Sequence, residues 1–420
     1  ALLVVVLVLS LVTLGLVATL PREPVTVTKP VTVPTVSVVT VTQPGAPGAP
    51  VTITQTVTRT VEKTTTVPPT TVTVTTTVGG PVAREPIKIA LLLMGAGNPY
   101  WDAWAQGVDT AVKRLNELGI SAQYTYFDGK YDPKTQYDQV LSAIGRYNVI
   151  ILTPVDRVGL QPAVEQARAA GVLVIIADNA VERDELMQPF IGSNNLAAAE
   201  LEAKTLLKAL SDSGKPKPWK ILIIHGVTTA ANNVLRLMGY KNALEPYIKD
   251  GTVKIVDVQC GYDTADRAYQ VVLSVLARER IDAVLSTNDA QAVGAIRAIE
   301  ATGLVPGKDV IVVGLDGIPE AIEAIKEGKM YATVAQTPFV MGYWSVFMAF
   351  YKLYLGIDLV KVAGGKNWIV TPTPIITAEN VHLFDLLTKN ELALRVPTEY
   401  TANVKPVSDV MGLISSLKGG

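Results

Sequence analysis

Six apolar runs in this 420-residue sequence are each followed by side chains able to make several hydrogen bonds at once. GAGNPYW supplies Asn98, Tyr100 and Trp101, and VLVIIA leads into Asp178 and Asn179. KILIIHG opens onto a stretch carrying Arg236, AVLST onto Asn288 and Asp289, VIVVGL onto Asp316, and YATVA onto Gln336. Carboxylates, carboxamides and a guanidinium present donors or acceptors in pairs, which suits the adjacent hydroxyls of a sugar. Aromatic rings suit its C–H face. Each residue also has a structural reading. Asn98 before Pro99 is a good helix start, Tyr100 and Trp101 can pack beneath their loop, and Asp289 can serve as a helix cap. Recurrence at corresponding places in unrelated loops is what points to a common ligand.

Catalytic and cofactor signatures are missing from the sequence. A dinucleotide loop from Gly95 would need glycine where Tyr100 stands, and no GxxxxGK[ST] phosphate loop occurs. His225 and His382, the two histidines, belong to no spaced metal motif or GxSxG elbow. The strand-end position of His225 reads as structural. Cys260 is the single cysteine, so no disulfide framework or thiolate cage can form, and it reads as core filler. With 37 basic and 38 acidic residues the net charge is -1, which excludes nucleic acid as a partner. The chain is therefore read as a non-enzyme without metal or cofactor.

The positioning elements follow from periodicity. Strands are predicted at IKIALLLM from Ile87, AQYTYF from Ala122, NVIILT from Asn148, VLVIIA from Val172 and KILIIH from Lys220. Four more follow at VKIVDV from Val253, AVLST from Ala283, VIVVGL from Val310 and YATVAQ from Tyr331. Amphipathic segments separate most of them. Continuously apolar strands alternating with helices imply an α/β fold of parallel sheets covered on both faces, with ligands beyond the carboxyl ends of the strands. Nine such units exceed one sheet and divide into two lobes.

The span from about Ile87 to Val381 resembles the type I periplasmic binding proteins for ribose, galactose and related sugars. NPYWDAWAQGVDTAV, YNVIILTPVDRVGLQPAVEQARAAGVLVIIADN, IGSNN, RLMGY, STNDAQAVGAIRAIEATG and VVGLDGIPEAIEAIKEGKMYATVAQTP carry the resemblance. It implies sugar-binding roles for Asn98, Tyr100, Trp101, Asp178, Arg236, Asn288, Asp316 and Gln336, with Asn179 beside them. It also implies lobe closure about a three-crossing hinge and delivery to an ABC permease. Lobe one is expected over residues 87–191 and 337–365, lobe two over 192–336 and 366–385, with 386–420 as a C-terminal extension. Asn179 replaces the arginine of the ribose binders, a departure that bears on pentose specificity. The family's second aromatic clamp has Ala265 at its place, leaving either a shifted Tyr262 or no clamp.

Residues 1–20 are uncharged and long enough to span a bilayer as a helix. The chain starts at Ala1 without a basic leader, so its start reads as processed and resembles the type IV pilin N-terminus. An extended Thr/Val/Pro stalk is expected over 21–86, with the composition of an O-glycosylated segment and a Thr/Val alternation that is also a strand pattern. A cell-surface binding protein anchored through residues 1–20 is the first reading. A type IV pilin-like filament subunit, its helices bundled with copies of itself, is the second. A sugar-responsive transcription regulator would need a DNA-binding module where the helix and stalk stand.

Overall fold

The computed structural model describes residues 36–41, 51–58, 73–78, 85–187, 189–357, 368–388 and 410–418. The apolar helix predicted over residues 1–20 lies outside them. Among the described residues no helix is long and apolar enough to cross a membrane. The chain divides into two compact units, Ala1–Glu85 and Pro86–Gly420.

In the first unit the Thr/Val alternation pairs with itself. Strands β1 (Val36–Val41), β2 (Val51–Thr58) and β3 (Thr73–Val78) form an antiparallel sheet in that order. Val36 faces Thr58 and Val51 faces Val78. Of the stalk expected over 21–86, residues 36–41, 51–58 and 73–78 are described, as strands, and the others lie outside the described residues. β-branched residues favour the pleated sheet, and the prolines that forbid strand interiors fall between the three strands.

The second unit holds two six-stranded sheets. Lobe one contains β4 (Ile87–Leu93), α1 (Pro99–Glu117), β5 (Ala122–Asp128), α2 (Pro133–Ala143), β6 (Val149–Leu152), α3 (Gln161–Ala169), β7 (Leu173–Ala177) and β8 (Phe190–Ser193). Lobe two contains α4 (Asn195–Asp212), β9 (Trp219–His225), α5 (Ala231–Lys249), β10 (Val253–Cys260), α6 (Ala265–Leu276), β11 (Ala283–Ser286), α7 (Asp289–Ala301), β12 (Ile311–Asp316), α8 (Pro319–Lys326) and β13 (Ala332–Ala335). The chain then returns to lobe one through α9 (Pro338–Leu355) and β14 (Trp368–Thr371), and ends in lobe two with β15 (Ile375–Thr377) and the short α10 (Phe384–Thr388).

The sheets share one strand order, β5-β4-β6-β7-β8-β14 and β10-β9-β11-β12-β13-β15, with the last strand parallel to its neighbour in the first and antiparallel in the second. In each, the second and first strands precede the third, fourth and fifth, so the order reverses beside the first strand and opens a crevice there. The crossings lie at Ser193–Asn195, Ala335–Pro338 and Thr371–Ile375. The third comes later than the expected 366, because Trp368–Thr371 pairs in parallel with β8 and belongs to lobe one.

Two glycines fix the helix that starts the site. A side chain at Gly107 would meet the Phe339 carbonyl, and one at Gly342 the Trp104 carbonyl, so α1 and α9 approach backbone to backbone. That contact holds the amino end of α1, and with it Asn98 to Trp101. The C-terminal extension is not a free tail in its last turns. Helix α11 (Val410–Leu417) buries Leu413 and Leu417 in the lobe-two core, and Lys418 pairs with Asp257 at 2.7 Å.

A chain of residues 86–420 is expected to melt cooperatively at the temperature of the full chain, because the unit boundary falls at Glu85. Ending the chain at residue 409 should cost about 3 kcal/mol or more, the worth of burying two leucines. Calorimetry on the two shortened chains checks both, and a melting loss on removing residues 1–85 would contradict the division.

Candidate ligand-binding site

The two acids at the centre of the site sit at equivalent strand ends. Asp178 follows β7, the fourth strand of lobe one, and Asp316 ends β12, the fourth strand of lobe two. Both have positive φ, 60° at Asp178 and 135° at Asp316. Such backbone costs on the order of 1–3 kcal/mol and survives only where the surroundings over-determine it. For Asp316 the surroundings are visible. Asp289 is buried, and its carboxylate accepts from the N–H groups of Gly317 at 2.6 Å and Ile318 at 3.1 Å and from the Thr333 hydroxyl at 2.9 Å. Asp289 is thus the fixed anchor of the Asp316 turn.

Between the lobes these acids line a small chamber of about 40 Å³. That admits roughly three waters. Lobe one contributes Asn98, Tyr100, Trp101, Tyr131 and Asp178, and lobe two Asn232, Asn233, Arg236, Asp263, Asn288 and Asp316, with Gln336 at the second crossing. Eight of the nine residues given a binding role from the sequence therefore meet in one place, and Asp289 stands behind them as the anchor.

Arg236 is the only cation among these lining residues. It is 2% exposed, and every arm of its fork is held. Nε donates to Asn195 Oδ1 at 2.9 Å, Nη1 donates to the Thr287 carbonyl, and Nη2 pairs with Asp316 at 3.3 Å. Burial pushes the Asp316 carboxyl up to about 8, against the pull of the guanidinium beside it. Burial likewise raises Asp178 and Asp263. Tyr100 keeps its proton, held far above the ordinary range by burial and by Asp178, and donates it to the Asp178 carboxylate. Gln336 Nε2 donates to Asp316 at 2.7 Å, while its Oε1 is buried with no hydrogen-bond partner.

The ninth residue is placed differently. Asn179 is buried outside the chamber lining. Its Nδ2 donates to Asp178 at 3.1 Å and its Oδ1 accepts from Asn232 N–H at 3.3 Å, tying the lobes together. Asn98 and Asn288 do both jobs weighed for them. Each caps its helix, accepting from Tyr100 N–H and Gln291 N–H at 2.9 Å, and each lines the chamber. Asn288 Nδ2 also donates to Asp263 at 2.7 Å. The sequence reading missed Tyr131, Asn232, Asn233 and Asp263. Tyr131 lies over Gly95, where any side chain would strike its ring, and its hydroxyl accepts from Trp101 Nε1 at 3.0 Å. Tyr262 is not part of the chamber lining. His225 is structural, with Nδ1 lying 2.7 Å from the Gly226 carbonyl oxygen.

This geometry has known counterparts. The family model described as the periplasmic binding protein domain matches residues 89–355. The chain belongs to that family. Among periplasmic binding proteins it is 27% identical over 261 residues to the ribose import binding protein of Bacillus subtilis, spanning 62% of this chain and 79% of the relative. It is 31% identical over 238 residues to the D-ribose/D-allose-binding protein of Pseudomonas aeruginosa, at 55% and 70% coverage. The crystal structure of an ABC transporter periplasmic solute binding protein from Actinobacillus succinogenes with bound D-allose matches with a TM-score of 0.60 and 26% identity, covering 71% of this chain and 99% of that one. A galactofuranose binding protein shares the fold with a TM-score of 0.64 at 22% identity, over 73% and 99% of the chains.

In this periplasmic binding protein the Arg236–Asp316 contact makes a stability prediction. Asp316→Ala leaves the buried guanidinium Nη2 and the Gln336 amide without their acceptor and is expected to cost about 3–5 kcal/mol in denaturant melts. Asp316→Asn keeps an acceptor for Gln336 and Arg236 and should cost clearly less. Equal stability of the two variants would show that the pair is not what holds the turn.

Proposed function

We propose that this chain is the solute-binding component of an ABC-type importer, capturing a neutral sugar or sugar-like molecule between its lobes and delivering it to a membrane permease. The observation that carries the reading is the unpaired Gln336 Oε1, which among the described residues is the one buried, unpartnered side-chain polar atom that belongs to the chamber lining. A ligand hydroxyl supplies the missing donor. Other hydroxyls would exchange with the bonds the chamber now makes to itself, Tyr100 to Asp178 and Asn288 to Asp263. A hydroxyl both donates and accepts, so it can bridge a carboxylate and an amide or guanidinium. On this reading Asn98, Asp178, Arg236, Asn288, Asp316 and Gln336 hold the hydroxyls, and Tyr100 and Trp101 flank the ring.

The charge balance favours a neutral ligand. One guanidinium faces Asp178, Asp263 and Asp316, so an added phosphate or carboxylate would enter an acidic, poorly hydrated space. The relatives support the sugar class, and the two-lobed fold supports capture by hinge closure. The protein binds its ligand and does not transform it. Among the described residues no cluster of His, Cys, Asp and Glu could hold a metal. We further infer that residues 1–20 tether the protein at the cell surface, supported by their uncharged composition and bilayer-spanning length.

A melting screen of the full chain with D-ribose, D-allose, D-galactose, myo-inositol and ribose 5-phosphate tests the proposal. At least one neutral polyol should raise the melting temperature, by the equivalent of about 2.7 kcal/mol at a hundred times its Kd. The sugar phosphate should leave it unmoved. A response to the phosphate alone, or to no polyhydroxyl compound, would overturn the reading.

A further inference from the structure

Outside the polar chamber the cleft widens instead of closing. A second space of about 400 Å³ lies at its mouth, and Asn98, Tyr131 and Asp263 line both. The mouth is within the range of about 300–1,000 Å³ found for small-molecule sites, whereas the chamber takes roughly three waters. Its openness has a sequence cause. Ala96, Gly97, Ala265 and Ala290 stand on its walls, where larger side chains would fill it.

Two tyrosines from opposite lobes face this space. Tyr131 follows β5, the second strand of lobe one, and Tyr262 follows β10, the second strand of lobe two. They sit in matching Gly-x-Tyr-Asp and Gly-Tyr-Asp turns just before helix caps, at Asp132 and Thr264. Both are left-handed, φ 53° at Tyr131 and 52° at Tyr262, a conformation rare for bulky residues. Core packing does not account for Tyr262, which is 59% exposed with the Arg267 guanidinium 5.8 Å from its ring centroid. Its turn is nonetheless rigidly fixed, because Asp263 accepts from Val227 N–H at 2.8 Å and from Asn233 and Asn288. Twice over, the fold holds a strained tyrosine at the mouth of the cleft.

We propose that the mouth is a second sugar subsite, so that the preferred ligand is a disaccharide or larger glycoside with one ring held through its hydroxyls by the polar groups of the chamber and the next between Tyr131 and Tyr262. The inference rests on the sugar-binding reading. Aromatic faces from two sides suit the apolar faces of a ring, and the polar rim of Thr264, Arg297 and Glu320 suits its outward hydroxyls.

Calorimetric titration of the full chain with glucose, galactose, maltose, cellobiose, lactose and melibiose tests this. One of the disaccharides should bind at least about tenfold more tightly than either of its component sugars. Tyr262→Ala should weaken that disaccharide about fivefold to tenfold, in line with the worth of an aromatic contact, and the monosaccharide less than twofold. Asp316→Asn should weaken both. A monosaccharide that binds as well as every disaccharide, or equal losses in Tyr262→Ala, would overturn the second subsite while leaving sugar binding intact. Binding of none of these sugars would overturn this inference, and a melting screen in which no neutral polyol binds either would overturn the sugar reading with it.

Discussion

One buried guanidinium organises the cleft. Arg236 reaches Asn195 at the first crossing, the Thr287 carbonyl past β11 and Asp316 at the end of β12, so three separate strand ends take their spacing from one planar group. Taking a charge out of water is costly, and that cost is offset only while all the partners stay in place. The acids around it obey the same constraint. Asp316 is raised to about 8 by burial even with Arg236 at hand, and Asp178 is raised by burial too, so charge in this space is balanced narrowly. A neutral molecule rich in hydroxyls can enter such a network by exchanging hydrogen bonds. A charged one must disturb the balance.

The duplicated lobe supplies the rest of the geometry. Because the two sheets share one strand order, equivalent turns meet face to face across the cleft: Asp178 and Asp316 after the fourth strands, Tyr131 and Tyr262 after the second. Positive φ recurs at all four residues. Conformational strain is thus concentrated where side chains must leave the sheet and point into the interlobe space. The rigid parts behind them, such as the close α1–α9 contact and the Asp289 anchor, keep those turns from relaxing.

Much of this was legible in the sequence, for a physical reason. Strands buried on both faces must be continuously apolar, as seven of the nine predicted runs are; β5 and β10 are edge strands with exposed positions, and their β-branched and aromatic residues marked them instead. Strand β8 was not legible, because FIGS is four residues long and half of it is small or polar. Asn179 follows Asp178 directly, yet the left-handed turn at Asp178 sends the next side chain behind the chamber wall, which periodicity cannot foresee. Tyr131 was hidden in a turn, DGKYDP, that reads as ordinary punctuation. The C-terminal helix escaped notice because only Leu413 and Leu417 of its eight residues are buried in the core, with Ile414 packed partly against it. The stalk's strand pattern was visible, but composition alone could not say that β1, β2 and β3 pair with one another.

The most direct test of the account is a crystal structure of the full chain with the neutral sugar that most raises its melting temperature. Ring hydroxyls are predicted within about 2.6–3.2 Å of the Asp178 and Asp316 carboxylates, one of them donating to Gln336 Oε1. Arg236 should still be paired with Asp316. A sugar bound elsewhere on the molecule, or one in the cleft that leaves Gln336 Oε1 without a partner, would contradict it.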